Sequence, residues 1–131
     1  MYRRIKMNTL KNGVDLTAGI ANLINRGALV NLTPHPVNVI LDDGSNITIV
    51  PSGVVPRCSA ANTVVAPGFT QSVLGDVTGL PDKKDGVLLI VGALIRSACP
   101  DRDDLIGPDT SPTGAVRNDQ GQIVGVRGFQ F

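Results

Sequence analysis

Fifteen glycines and nine prolines punctuate a chain of 131 residues. Glycine opens backbone conformations closed to other residues, and proline removes a donor. Turns must therefore be frequent and regular elements short. With three Phe, one Tyr and no Trp, the core has to come from Val, Ile, Leu and Ala. The length suits one domain. Such a domain buries roughly two-thirds of the surface its unfolded chain exposes, enough to fold without disulfide or metal.

The elements can be read from this punctuation. Residues 1–14 are polar and basic and read as an arm. Asp15 can cap a helix over Leu16–Arg26, with Leu16, Ile20, Leu23 and Ile24 on one face and Gly27 as its stop. Ala28–Leu32 is a short apolar run. Val37–Leu41 and Ile47–Val50 flank Asp42-Asp43-Gly44-Ser45 and predict a hairpin. Ser59–Gly68 shows no regular pattern, and Phe69–Val77 reads as a strand. Val87–Val91 is the most apolar stretch and predicts a buried central strand. Ala93–Ala98 predicts a short helix stopped by Pro100. Val116-Arg117 and Ile123–Arg127 around Asn118-Asp119-Gln120-Gly121 predict a second hairpin. The expectation is a β-rich α+β fold: one small domain over residues 28–131 with a mainly antiparallel twisted sheet, two hairpins and one or two short helices. Residues 1–27 stand apart as an N-terminal arm and short helix.

Three polar constellations fall in loops, where binding residues concentrate. Asn31, Thr33 and His35 follow the first apolar run, and flanking prolines stiffen the turn that holds the only histidine. An imidazole there can act as a general base or donate a hydrogen bond; a turn residue bonded to backbone is the simpler reading. Ser52, in Pro51-Ser52-Gly53, can present a hydroxyl and amides to an anion, or form a plain β-turn. Arg96, Arg102, Asp104, Asp109 and Thr110 crowd a helix and the loop after it. Arg102 between carboxylates is either a structural ion pair or a fork held ready for phosphate. Asp103, Asp104 and Asp109 could instead collect Mg²⁺, though their spacing fits no calcium loop. Arg117 and Arg127, on the last hairpin, join Arg57 and Arg96 as further anion candidates, with solvated strand faces as the plainer reading.

Other classes are excluded by what is missing. A net charge of +1 gives no whole-molecule signal for nucleic acid. No apolar run reaches the roughly 18 residues of a membrane span, and Arg3, Arg4 and Lys6 lead into no signal-peptide core. Cys58 and Cys99 lack ligand spacing and read as buried thiols. No nucleotide-binding glycine fingerprint, paired-histidine metal motif or nucleophile elbow occurs, so no cofactor or metal is expected. All eleven acidic residues are Asp, so acid–base chemistry would rest on His35 and aspartates.

The runs Asn31-Leu32-Thr33-Pro34-His35-Pro36-Val37, Pro51-Ser52-Gly53, Gly75-Asp76-Val77 before Gly79-Leu80-Pro81, and Arg102-Asp103-Asp104-Leu105 with Pro108-Asp109-Thr110 occur together here. In combination they resemble a family of small uncharacterised proteins of bacteriophages, prophages and bacteria. The resemblance covers about residues 28–131, with Gly92 where the family has Ser. It implies a phage or mobile-element setting, hence the host cytoplasm or a virion, and no activity. Two functions fit. One is recognition or sequestration of a nucleotide, cyclic nucleotide or nucleotide-derived defence signal by Asn31, Thr33, His35, Ser52, Arg96, Arg102, Asp104, Asp109 and Thr110. Turnover, if present, would be phosphodiester or nucleotide hydrolysis with His35 as catalytic base. The other is a structural or assembly protein without a small-molecule site. A homo-oligomer formed through residues 1–27 is compatible with either.

Overall fold

The computed structural model describes residues 9–131. In chain order the elements begin with strands β1 (Leu10–Lys11) and β2 (Val14–Asp15), a 3-10 turn (Leu16–Ala18) and helix α1 (Ile20–Asn25). Strands β3 (Leu29–Asn31), β4 (Val37–Ile40), β5 (Asn46–Ile49), β6 (Arg57–Ala66), β7 (Phe69–Thr78) and β8 (Leu88–Ile90) follow. Helix α2 (Ala93–Ala98) then leads to β9 (Leu105–Pro108), β10 (Ala115–Arg117), β11 (Ile123–Val126) and β12 (Phe129–Gln130). The fold is β-rich with two short helices, as the sequence predicts.

The centre is a four-stranded sheet in the order β12-β9-β8-β3. Strands β3, β8 and β9 run parallel, and β12 closes the edge antiparallel to β9. The unit β8-α2-β9 is a parallel crossover, which explains why β8 is apolar without alternation. Its two faces are both covered. Leu88, Ile90 and Ile106 point to one core, with Val14, Leu23, Val37, Val39, Ile49 and Val126. Leu89, Val91 and Leu105 point to the other, with Leu32 and Ile95. Each such side chain contributes about 1.5–3 kcal/mol on burial.

The second four-stranded sheet, β10-β11-β4-β5, packs its inner residues Val37, Val39, Ile49 and Val126 into the first core. Both predicted hairpins are in it: β4 with β5, and β10 with β11. Pairings among the described residues are mostly antiparallel, yet the buried central sheet is parallel at three of its four strands.

Three local expectations change. The segment 59–68 is not irregular: β6 pairs with β7 over ten residues each, around Pro67-Gly68, as the longest hairpin of the chain. The helix expected over 16–26 is broken at Gly19, whose φ of 91° is open to glycine, giving a 3-10 turn and then α1. Residues 9–27 also do not stand apart. Val14 is fully buried and Leu23 nearly so, both in the first core, and Asn12 donates to the carbonyls of Lys84 and Val87. The basic residues Arg3, Arg4 and Lys6 of the expected arm lie outside the described residues.

Candidate functional site

The strand ends carry the first constellation. Asn31 ends β3 and is 1% exposed. Its amide nitrogen donates to the carbonyls of His35 (2.9 Å) and Ile49 (3.0 Å), while its oxygen accepts from the Thr33 amide at 2.9 Å. The Thr33 hydroxyl lies 2.6 Å from the same oxygen and 2.9 Å from the His35 carbonyl. All hydrogen-bonding capacity of Asn31 is spent on backbone and on Thr33. It builds the turn that presents His35 and offers nothing to a ligand. His35 is exposed, and its imidazole has no hydrogen-bond partner among the described residues.

A groove of about 520 Å³ runs past this turn. Thr33, His35 and Asn38 line one side, Pro108 and Thr110 another, and Ile123, Val124 and Val126 its apolar wall. The structure thus brings the loop after β3 and the loop after β9 together at the C-terminal ends of parallel strands, where open α/β sheets hold ligands. The groove is lined by hydroxyls, one imidazole and aliphatic surface, with neither carboxylate nor guanidinium in its wall.

Asp109 stands beside it in a supporting role. Its carboxylate accepts from the Ser111 amide at 3.1 Å. Hydrogen bonds from the Ser111 side chain and backbone hold its pKa below the ordinary carboxylate range. Ser52 likewise makes its own turn: its hydroxyl accepts from the Val54 amide at 3.2 Å, and its amide donates to Asn31 O at 2.9 Å.

The arginines lie elsewhere. Arg102 grips Asp104 with two parallel bonds, Nε to Oδ1 at 2.9 Å and Nη2 to Oδ2 at 2.8 Å, and Nη2 also donates to the Pro81 carbonyl at 2.8 Å. Asp104 has no exposed surface. The hydrogen bond to Asp104 raises the Arg102 pKa further. This is a structural fork that ties the 79–85 loop to the start of β9.

Arg96, on α2, has no such mate. Its guanidinium lies over Gly107, where an added Cβ would come within 3.0 Å of Nε. Its hydrogen bond is a long one, Nη1 to the Gln130 carbonyl at 3.4 Å. The Nε donor is buried without any acceptor. A hollow of about 290 Å³ opens beside it, lined by Lys11, Arg96, Arg102, Asp103 and Phe131 among others. The ion pairs among the described residues are Lys83–Asp103 and Arg102–Asp104. Lys11 and Arg96 therefore face this hollow with no carboxylate at ion-pair distance. The Lys11 ammonium sits 4.0 Å from the centre of the Phe131 ring.

The residues singled out in the sequence thus divide. Thr33, His35 and Thr110 share the groove; Arg96 and Arg102 share the hollow; the two have no lining residue in common. Asn31, Ser52, Asp104 and Asp109 hold backbone or an arginine and line neither. Lys11 and Phe131 were missed because they lie at opposite ends of the chain and belong to no motif. Arg117 bonds the Gly121 carbonyl within its own hairpin turn. Cys58 and Cys99 are free and half-buried at the edge of the second core. Among the described residues no group of His, Cys and Asp is placed to hold a metal, and no helix is long and apolar enough to cross a membrane. No protein family, curated protein or solved structure matches this chain.

Proposed function

We propose that this protein binds a phosphate-bearing ligand of nucleotide class in the hollow formed by Lys11, Arg96, Arg102 and Phe131. The observation that carries the reading is Arg96. A buried donor left without an acceptor costs about 1–3 kcal/mol, and here it belongs to a guanidinium with no carboxylate partner. A phosphate oxygen on the remaining guanidinium donors would supply the anion that Arg96 lacks, with Lys11 as the second cation. The Phe131 ring offers a face on which a base can stack. The volume is at the lower end of small-ligand sites, so a mononucleotide or cyclic nucleotide fits better than a larger one. The reading is of binding, because the imidazole that hydrolysis would need lies in the other cavity.

Thermal unfolding in the presence of phosphate, AMP and cyclic nucleotides tests it. At a ligand concentration a hundredfold above Kd, the gain is about 2.7 kcal/mol, which moves the midpoint by roughly 10 °C. Arg96→Ala must abolish the shift, and His35→Ala must leave it intact. Gly107→Ala must weaken it as well, since the new methyl displaces the guanidinium. No shift with any of these compounds, or a shift indifferent to Arg96, sinks the reading.

The alternative, a structural or assembly protein in a phage setting, draws support from one observation: the β6–β7 hairpin leaves the body of the molecule and exposes apolar side chains along its length.

A further inference from the structure

The hairpin Arg57–Thr78 is anchored only at its base, where Cys58 and Val77 pack on the second core. Beyond them every residue from Ser59 to Asp76 is exposed. The exposed residues include Val64 at 71%, Val65 at 61%, Phe69 at 68% and Val73 at 50%. Strands of ten residues extend about 30 Å. The two strands pair only with each other, so both outer edges present unpaired backbone donors and acceptors. Between Arg57 and Asp76 there is no charged residue at all.

These features conflict with life as a monomer. A two-stranded ribbon is marginally stable alone in water. Natural edge strands are blunted with lysine, proline or inward charge, and here the one proline is in the turn. Ordering each backbone residue costs about 1–2 kcal/mol. The partner that offsets this must be present whenever the chain is folded, must offer an extended edge, and must be uncharged. A second copy of the same hairpin meets all three conditions.

We infer that β7 pairs with β7 of a second copy, antiparallel about a two-fold axis near Val73, to form one continuous four-stranded sheet. The choice of β7 follows from its middle. Residues at the centre of a two-fold pairing meet their own copies, and Val73 and Leu74 are apolar where the middle of β6 is Ala61 and Asn62. Antiparallel pairing sends the two bodies to opposite ends of the ribbon, so they do not collide. It also lays Phe69 of each arm near Val77 at the base of the other. Pairing the two ten-residue edges makes a main-chain ladder about 30 Å long and covers Val73 and Leu74 of both copies. Like charges facing one another would oppose such self-pairing, and this stretch has none.

Sedimentation of the full chain tests the inference. The wild type is expected at twice the monomer mass of 13.7 kDa. Val73→Lys and Val73→Asp, each alone, should sediment as monomers whose circular dichroism keeps the signal of the core and loses at most that of the hairpin. Mixed in equal amounts, they should regain the dimer mass, because opposite charges then face across the axis. A third variant replaces residues 62–72 with Asn-Gly, leaving Cys58 and Val77 in place, and should also be monomeric. A wild type that sediments as a monomer at about 100 μM, single variants that keep the wild-type mass, or a mixture that stays monomeric each overturns it.

Discussion

At the scale of single residues, polar side chains in loops divide by where their hydrogen bonds end. Asn31 closes on backbone at every position, so its worth is structural. Asn31→Ala would remove the side-chain partner of the Ile49 carbonyl and of the Thr33 amide, and leave the His35 carbonyl to the Thr33 hydroxyl alone. The expected loss is about 3 kcal/mol, read as a lower urea midpoint. Asn31→Asp should cost more, because a buried carboxylate would face those two carbonyls. Ser52→Ala, at an exposed hydroxyl, should change stability by less than about 0.5 kcal/mol. Equal midpoints for Asn31→Ala and Ser52→Ala would refute the role given to Asn31. The sequence located these motifs in loops correctly, but residue type alone cannot tell a ligand donor from a turn builder. Asn and Asp are favoured at turns for the same bonds that would let them hold a ligand. Arg102 and Asp104 illustrate the same ambiguity: two residues apart, they hold each other through two parallel bonds, whereas Arg96, with no acid beside it in sequence, keeps a buried donor without an acceptor.

Among the elements, legibility followed burial pattern. The turn Asp42-Asp43-Gly44-Ser45 marked its hairpin because β4 and β5 cover alternate residues, whereas Asn118-Asp119-Gln120-Gly121 marked its own by turn residues alone, since β10 and β11 do not alternate in burial. Val87–Val91 announced β8 because both faces are covered. Beyond Cys58, β6 has neither face covered, so Ser59–Gly68 shows no alternation and reads as irregular, whereas its partner β7 is legible as a strand over Phe69–Val77. Parallel pairing was also invisible, since β3, β8 and β9 are joined by long-range register that no local turn encodes. The loop after β9 runs directly into β10, and at Gly114 it folds back on its own start at Asp109. A methyl there would meet the carboxylate of Asp109, and its carbonyl oxygen at 2.6 Å. Gly114→Ala should therefore cost about 1–3 kcal/mol as the loop is pushed aside. Gly92→Ala is the control, at φ −69° with nothing within 4 Å of the new carbon, and should be close to neutral. Thermal midpoints that fall equally for the two would show that the close approach at Gly114 is not what that glycine serves.

The whole molecule has an unusual acid chemistry, with eleven carboxylates that are all aspartate. Four of them carry pKa values lowered in the folded state. Asp15 is held by Thr17, Asp43 by Ser45 and Asp109 by Ser111, each through a side-chain hydrogen bond first and a backbone one second. Asp103 is held by its hydrogen bond to Lys83. A depressed carboxylate pKa means the unfolded chain takes up protons before the folded one does. The stabilisation is then present above the unfolded value of about 3.9 and is lost as pH falls through the folded value. All four contribute in the same direction, because each caps a turn or pairs with a lysine that only the folded chain assembles. Urea midpoints should therefore stay level as pH is lowered to about 5 and begin to fall below about 4, by an amount limited by the exposure of all four groups. The mutant Asp109→Asn, which keeps an oxygen acceptor for Ser111, should show a shallower drop than the wild type. A midpoint already falling between pH 7 and 5, or an acid limb unchanged in Asp109→Asn, would mean that these turns do not couple protonation to folding.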